Sequence, residues 1–167
     1  MKVLPKGAEP PKLLLKASDG SQLDLANLSG PTALAFVHPR VSASRNVVGF
    51  LRKLHEMLPE LPIWFVFSSD KEESENYAKG YLGDYLQGYP LVLEEGCEVL
   101  KAFGASHVPT VHYFEDGKVS VAFSGFHKRA LNELAQKAAV AMEARPKALV
   151  ADLDNKGEYE LAEPSGC

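Results

Sequence analysis

The groups able to carry redox or nucleophilic chemistry in this chain are few and widely spaced. Two cysteines, Cys97 and Cys167, are its only thiols. That separation is neither a Cys-x-x-Cys pair nor a zinc-ligand pattern, and two cysteines make no disulfide framework. In a reducing compartment both are expected as free thiols. Cys97 stands at the start of a short helical pattern, Glu98 to Phe103, where the helix dipole would lower its pKa and favour the thiolate. It is therefore the candidate catalytic residue, for thiol–disulfide exchange or peroxide reduction, against the plainer role of a small packed side chain. Cys167 ends the chain after Pro164, Ser165 and Gly166 and is expected to stay unpaired, the alternatives being Cys97 or another subunit.

Imidazoles and guanidiniums add little. His38 and His107 could form a proton-transfer pair, but no nucleophile accompanies them, so both read as polar rim residues. His55, His112 and His127 show no metal-ligand spacing. Arg40 and Arg45 could hold an anion at a helix start or simply be solvated. Asp152, Asp154 and Glu163 partly fit a calcium loop, yet Lys156 stands where a ligand is needed and Pro164 replaces the exiting helix. No metal or cofactor is expected.

The elements that must position these residues follow from patterning. At 167 residues, with 46% apolar and 24% charged residues, the chain has the composition of a globular domain. We expect one domain over 1–143 and a C-terminal extension over 144–167. A net charge of −4 offers no basic face for nucleic acid or an anionic membrane. No segment approaches the ~20 apolar residues of a membrane span. Pro5, Lys6 and Gly7 interrupt the start before any secretory apolar core can form, so a cytoplasmic protein is expected.

Residues 13–15 and 22–24 flank Ser18-Asp19-Gly20-Ser21 as strand, turn and strand. Thr32 to Val37 is a continuous apolar run suited to a strand buried on both faces. Ser42 or Ser44 can cap a helix reaching about Leu58, with Val47, Leu51, Leu54 and Leu58 on one stripe. A strand over Ile63–Phe67 precedes an acidic-starting helix from Lys71 to about Tyr81. A third strand covers Pro90–Leu93. Asp116-Gly117 joins strands 110–115 and 118–123 as a hairpin, and a helix runs from His127 to about Glu143. Residues 149–153 and 158–161 read as a last β-hairpin about Asn155-Lys156-Gly157. The order predicts an α/β three-layer sandwich with a central mixed sheet, an N-terminal hairpin and a short C-terminal hairpin appendage.

Several segments carry a resemblance over roughly residues 8–143. Pro10, the Asp19-Gly20 turn and Leu25-Ala-Asn-Leu28-Ser-Gly30 come first, then Ala35-Phe36-Val37, Ser68-Ser69-Asp70, Val99-Leu-Lys-Ala-Phe-Gly104 and Val108-Pro109-Thr110. In this order they resemble the thioredoxin-like superfamily, in the branch of AhpC/TSA redoxins (peroxiredoxins, antioxidant enzymes) and cytochrome-maturation thiol–disulfide oxidoreductases. The resemblance implies a thioredoxin fold, a cis-proline at Pro109, and a groove beside Val108-Pro109-Thr110 that takes an extended peptide.

The departure is at the loop. Aligning Phe36 and Arg45 puts Val41, Ser42, Ala43 and Ser44 where the resemblance implies Cys-x-x-Cys. Aligning on Pro39 as in peroxiredoxins puts Ala43 at the threonine and Asn46 at the cysteine. Neither register supplies a thiol, and a serine hydroxyl is not ionised near neutral pH and has no comparable redox cycle. The expected function is a non-catalytic binding or accessory protein. Its groove would comprise His38, Arg40, Arg45, His107, Val108, Pro109 and Thr110, docking a protein or peptide, with no nucleic acid or membrane partner. The alternative is a thiol oxidoreductase, one-cysteine peroxidase or redox sensor using Cys97. A third reading makes Val41 part of a homodimer contact; both monomer and homodimer remain open.

Overall fold

The computed structural model describes residues 3–69, 72, 73, 76, 86–95 and 97–165. Its centre is β3 (Thr32–Val37), in which every residue is buried. Burial on both faces is what an uninterrupted apolar run allows, and neighbours on both edges satisfy its backbone. β4 (Ile63–Ser69) lies parallel to it, with Ala35 opposite Phe65. β7 (Thr110–Glu115) lies antiparallel on the other side, with Leu34 opposite His112. β5 (Leu91–Glu95) and β8 (Lys118–Ser124) complete a five-stranded mixed sheet of order β5-β4-β3-β7-β8. The β7–β8 turn places Asp116 and Gly117 at φ 52° and 75°, both positive as a type I′ hairpin turn requires.

The amphipathic stripes form the expected helices. α1 (Ser42–Met57) buries Val47, Leu51 and Leu54. α2 (Glu98–Ala102) ends at Phe103, whose ring packs edge-on against Phe36 at 5.2 Å and near His112 at 5.0 Å. α3 (Lys128–Ala141) buries Leu131, Leu134 and Ala138. The expected N-terminal hairpin is present as β1 (Leu14–Lys16) paired with β2 (Gln22–Asp24). The helix expected over 71–81 lies outside the described residues apart from Glu72, Glu73 and Asn76, which are helical.

The C-terminal hairpin expected over 149–161 does not form. Residues 152–154 make a 3-10 turn, and Asn155 takes a left-handed conformation at φ 53°. The Asp154 carboxylate accepts from the Ala151 amide at 2.8 Å and from Lys53 Nζ at 3.4 Å. This local side-chain bonding captures a backbone group that a strand ladder would need. Leu149 and Val150 instead enter the core. Lys53 Nζ donates to Leu149 O at 2.8 Å, and the Asn132 amide group brackets Val150 N and O at 2.8 and 3.2 Å.

Beyond this anchor the tail pairs with the main body. β10 (Tyr159–Glu160) lies antiparallel to β9 (Phe126–His127). β11 (Glu163–Pro164) lies antiparallel to β6 (His107–Val108), with Glu163 opposite Val108 and Pro164 opposite His107.

Candidate functional site

β3 delivers the chain to His38, and a turn closed by Val41 N donating to His38 O at 3.0 Å starts α1. Val41 occupies the N-cap with extended dihedrals and no side-chain cap. The serines expected to cap the helix do other work. Ser44 is buried and its Oγ accepts from His38 N at 3.2 Å. Ser42 Oγ donates to Glu160 Oε2 at 2.9 Å. Ala43 is buried, as is Val41. The loop therefore presents one buried hydroxyl, one carboxylate-bound hydroxyl and two apolar side chains. None is a redox group.

His38 is 1% exposed and packs against Phe67 in a tilted arrangement at 4.8 Å. Its Nδ1 accepts from the Arg40 amide at 3.1 Å, so Nε2 carries the proton and donates to Glu73 Oε1 at 2.9 Å. Arg40 Nη2 also reaches Glu73, at 2.7 Å. Burial lowers the His38 pKa and outweighs the opposing pull of Glu73; the Arg40 charge adds to the lowering. The ring is held neutral, as an orienting element between the loop and Glu73.

His107 takes a separate partner, the Ser106 hydroxyl at 2.7 Å from Nδ1. Arg45 Nη1 donates to Pro39 O at 2.8 Å, which ties the loop to its own helix.

The Val108–Pro109 peptide bond is cis. Thr110 Oγ1 donates to His107 O at 2.8 Å, and Gly125 N donates to Pro109 O at 2.8 Å. These bonds fix one side of the segment and leave β6 as an edge. That edge is occupied by β11, and the strand is extended by Ser165 N donating to Ser106 O at 3.0 Å. His38, Arg40 and Val41 on one side and Glu163, Pro164 and Ser165 on the other line a cavity of about 330 Å³. Of the expected groove residues, His38 and Arg40 line this cavity, and His107 and Val108 pair with the chain's own tail.

Two residues at this site carried no sequence signal as ligands. Glu160 takes Ser42 on one carboxylate oxygen and Asn46 Nδ2 on the other at 2.8 Å, and Lys156 Nζ donates to Asn46 Oδ1 at 3.1 Å. Glu73 joins His38 to Arg40. The alternation of Tyr159, Glu160 and Leu161 does mark a strand, but not its partner.

Cys97 corrects a sequence expectation. It is fully buried, takes a left-handed φ of 62°, and is disulfide-bonded rather than free. The other cysteine of the chain is Cys167, outside the described residues.

No protein-family model matches the sequence, and no curated protein matches it. Solved structures do. A thiol:disulfide interchange protein DsbE from Chlorobium tepidum superposes with a TM-score of 0.70 at 17% identity, covering 83% of this chain and 99% of the other. A thio-disulfide isomerase from Thermus thermophilus gives 0.66 at 19% identity, covering 85% and 99%. StoA from Bacillus subtilis gives 0.63 at 16% identity, covering 77% and 97%. The chain has the thioredoxin-like fold of these proteins, a central mixed sheet with packed helices.

Proposed function

We propose that this thioredoxin-like chain carries no dithiol chemistry at its loop and works by holding an extended polypeptide segment along β6. One observation carries the reading: β6 accepts an extended strand beside Val108–Pro109, next to a loop without a thiol at any of its four positions. Edge pairing supplies main-chain hydrogen bonds to any sequence, and neighbouring cavities select alternate side chains. Here the selecting cavity has His38, Arg40 and Val41 on its wall, which suits a short acidic or polar side chain beside a small apolar one. The partner is a protein or peptide met in the cytoplasm by a monomer or homodimer. Among the described residues no helix is long and apolar enough to cross a membrane.

The test is a pair of assays on the full chain. Insulin reduction and peroxide consumption with a dithiol reductant should not exceed the reductant alone. Turnover that survives replacement of both cysteines would overturn the reading. Turnover that disappears with Cys97→Ser would transfer the function to that thiol, as an exchange enzyme or one-cysteine peroxidase. An exposure of 0% at Cys97 argues against that second outcome, because a catalytic thiolate must meet its substrate.

A further inference from the structure

We propose that the docking site selects its partner strand by a glutamate, whose two carboxylate oxygens are read by Ser42 and Asn46. This rests on the reading of β6 as a docking edge and names the class of segment that docks there, an extended acidic peptide. Residues 159–165 of the chain itself show what such a segment meets. They lie antiparallel first to β9 and then to β6. Lys128 N donating to Glu158 O at 2.9 Å and Ser165 N donating to Ser106 O at 3.0 Å lengthen the pairing at both ends. Between them the strand crosses directly over Gly125, where a Cβ would stand 2.5 Å from Glu160 O. Main-chain contacts of this kind accept any sequence, so the choice of partner must come from side chains.

That choice falls at Glu160. Ser42 and Asn46 stand four residues apart in α1 and so share one face of it. Ser42 Oγ donates to one oxygen of Glu160 at 2.9 Å and Asn46 Nδ2 to the other at 2.8 Å. Lys156 Nζ donates to Asn46 Oδ1 at 3.1 Å, which turns the amide so that Nδ2 faces the carboxylate. A glutamine in that place has one acceptor for two donors, and its own NH2 group would meet a donor. The pair therefore discriminates by an unmade bond as well as by a made one. The present occupant is replaceable. Leu161 is 66% exposed, and the buried residues of the segment, Ala162 and Ser165, are small. Little apolar area holds it, so it opens at low local cost. Because it is tethered to the body through residues 149–158, it rebinds at high effective concentration, and a partner must match its glutamate to compete.

Peptide binding and hydrogen exchange on the full chain test this. The probes are two labelled synthetic peptides of residues 157–165, one native and one carrying Glu160→Gln. The proteins are the wild type, Glu160→Ala, and Glu160→Ala combined with Asn46→Asp. In Glu160→Ala the Ser165 amide should exchange faster while β3 amides keep their rates. That variant should bind the native peptide at least tenfold more tightly than the wild type does, and at least tenfold more tightly than it binds the glutamine peptide. Adding Asn46→Asp should reverse the preference, because a carboxylate at 46 repels glutamate and accepts from the NH2 group of glutamine. Equal binding of the two peptides, or a preference that Asn46→Asp leaves unchanged, would overturn the glutamate selection and leave docking at β6 standing. Unchanged Ser165 exchange in Glu160→Ala would mean that Ser42 and Asn46 do not hold the strand, and would overturn the selection too. Faster exchange with neither peptide bound would sink the docking reading itself.

Discussion

At the scale of single residues, His112 shows how burial fixes protonation. Its Nε2 accepts from the Leu4 amide at 3.1 Å, so Nδ1 carries the hydrogen, and among the described residues that atom is buried without a partner. The ring packs against both Phe103 and Phe114. Desolvation pushes its pKa from 6.5 to about 4, and protonating Nε2 would also destroy the Leu4 bond. The unfolded chain therefore takes up a proton first as the pH falls. Stability present above pH 6.5 is lost progressively down to about pH 4, by about 3 kcal/mol. Urea denaturation of the wild type and His112→Phe should show their stability difference shifting by about that amount, in favour of the variant, between pH 7 and pH 4. The lowered pKa of His38 acts in the same direction. The loop offers a test of opposite sense. Val41 and Ser44 stand at the N-cap and in the first turn of the 16-residue α1, where a thiolate is stabilised. Val41→Cys combined with Ser44→Cys should confer insulin reduction on the dithiothreitol-treated protein. No gain would mean that the loop geometry, and not the missing thiols alone, bars the chemistry.

At the scale of elements, the β8–β9 junction controls the strap of tail residues 159–165 that pairs with β9 and β6. Gly125 has φ +84°, and a Cβ there would stand 2.5 Å from Glu160 O and 3.1 Å from Ala162 N. Those are backbone atoms, so the strap must move rather than a side chain rotate. Gly125→Ala should raise exchange at the Ser165 amide and cost at least about 1 kcal/mol from the left-handed backbone alone, as read by thermal unfolding. Sequence made the sheet legible where one force dominates. Thr32–Val37 has no polar interruption, Asp116-Gly117 admits positive φ at both positions, and the Leu131, Leu134, Ala138 stripe fits one helix face. It misled where two local solutions compete. Residues 149–161 alternate like a hairpin, but the Asp154 carboxylate captures the Ala151 amide, and Leu149 and Val150 gain more by entering the core. The serines before α1 looked like caps, yet Ser44 serves His38 and Ser42 serves Glu160. The cis bond at Val108–Pro109 could be expected from the resemblance; the bonds of Glu160 to Ser42 and Asn46 depend on long-range pairing that no local pattern carries.

At the scale of the molecule, the question is where release of the strap must stop. The tail has two parts with different attachments. Residues 149–154 are bound into the body by apolar burial of Leu149 and Val150, by both groups of Asn132, and by Lys53. Residues 159–165 are held by edge pairing and polar anchors. Edge pairing and polar anchors open locally without emptying the core, so amide exchange should be faster across 159–165 than at Val150. Glu160→Ala, which removes the bonds to Ser42 and Asn46, should quicken exchange across 159–165 and leave Val150 unchanged. Leu149→Ala should behave differently, because it empties a fully buried site and costs about 2–5 kcal/mol. Calorimetry of the wild type, the two single variants and the double variant separates the two effects. Additive losses place the edge anchors and the core anchor on independent contacts. A Glu160→Ala effect that vanishes in Leu149→Ala would mean that the whole tail from 144 onward detaches as one piece, and that residues 159–165 have no boundary of their own.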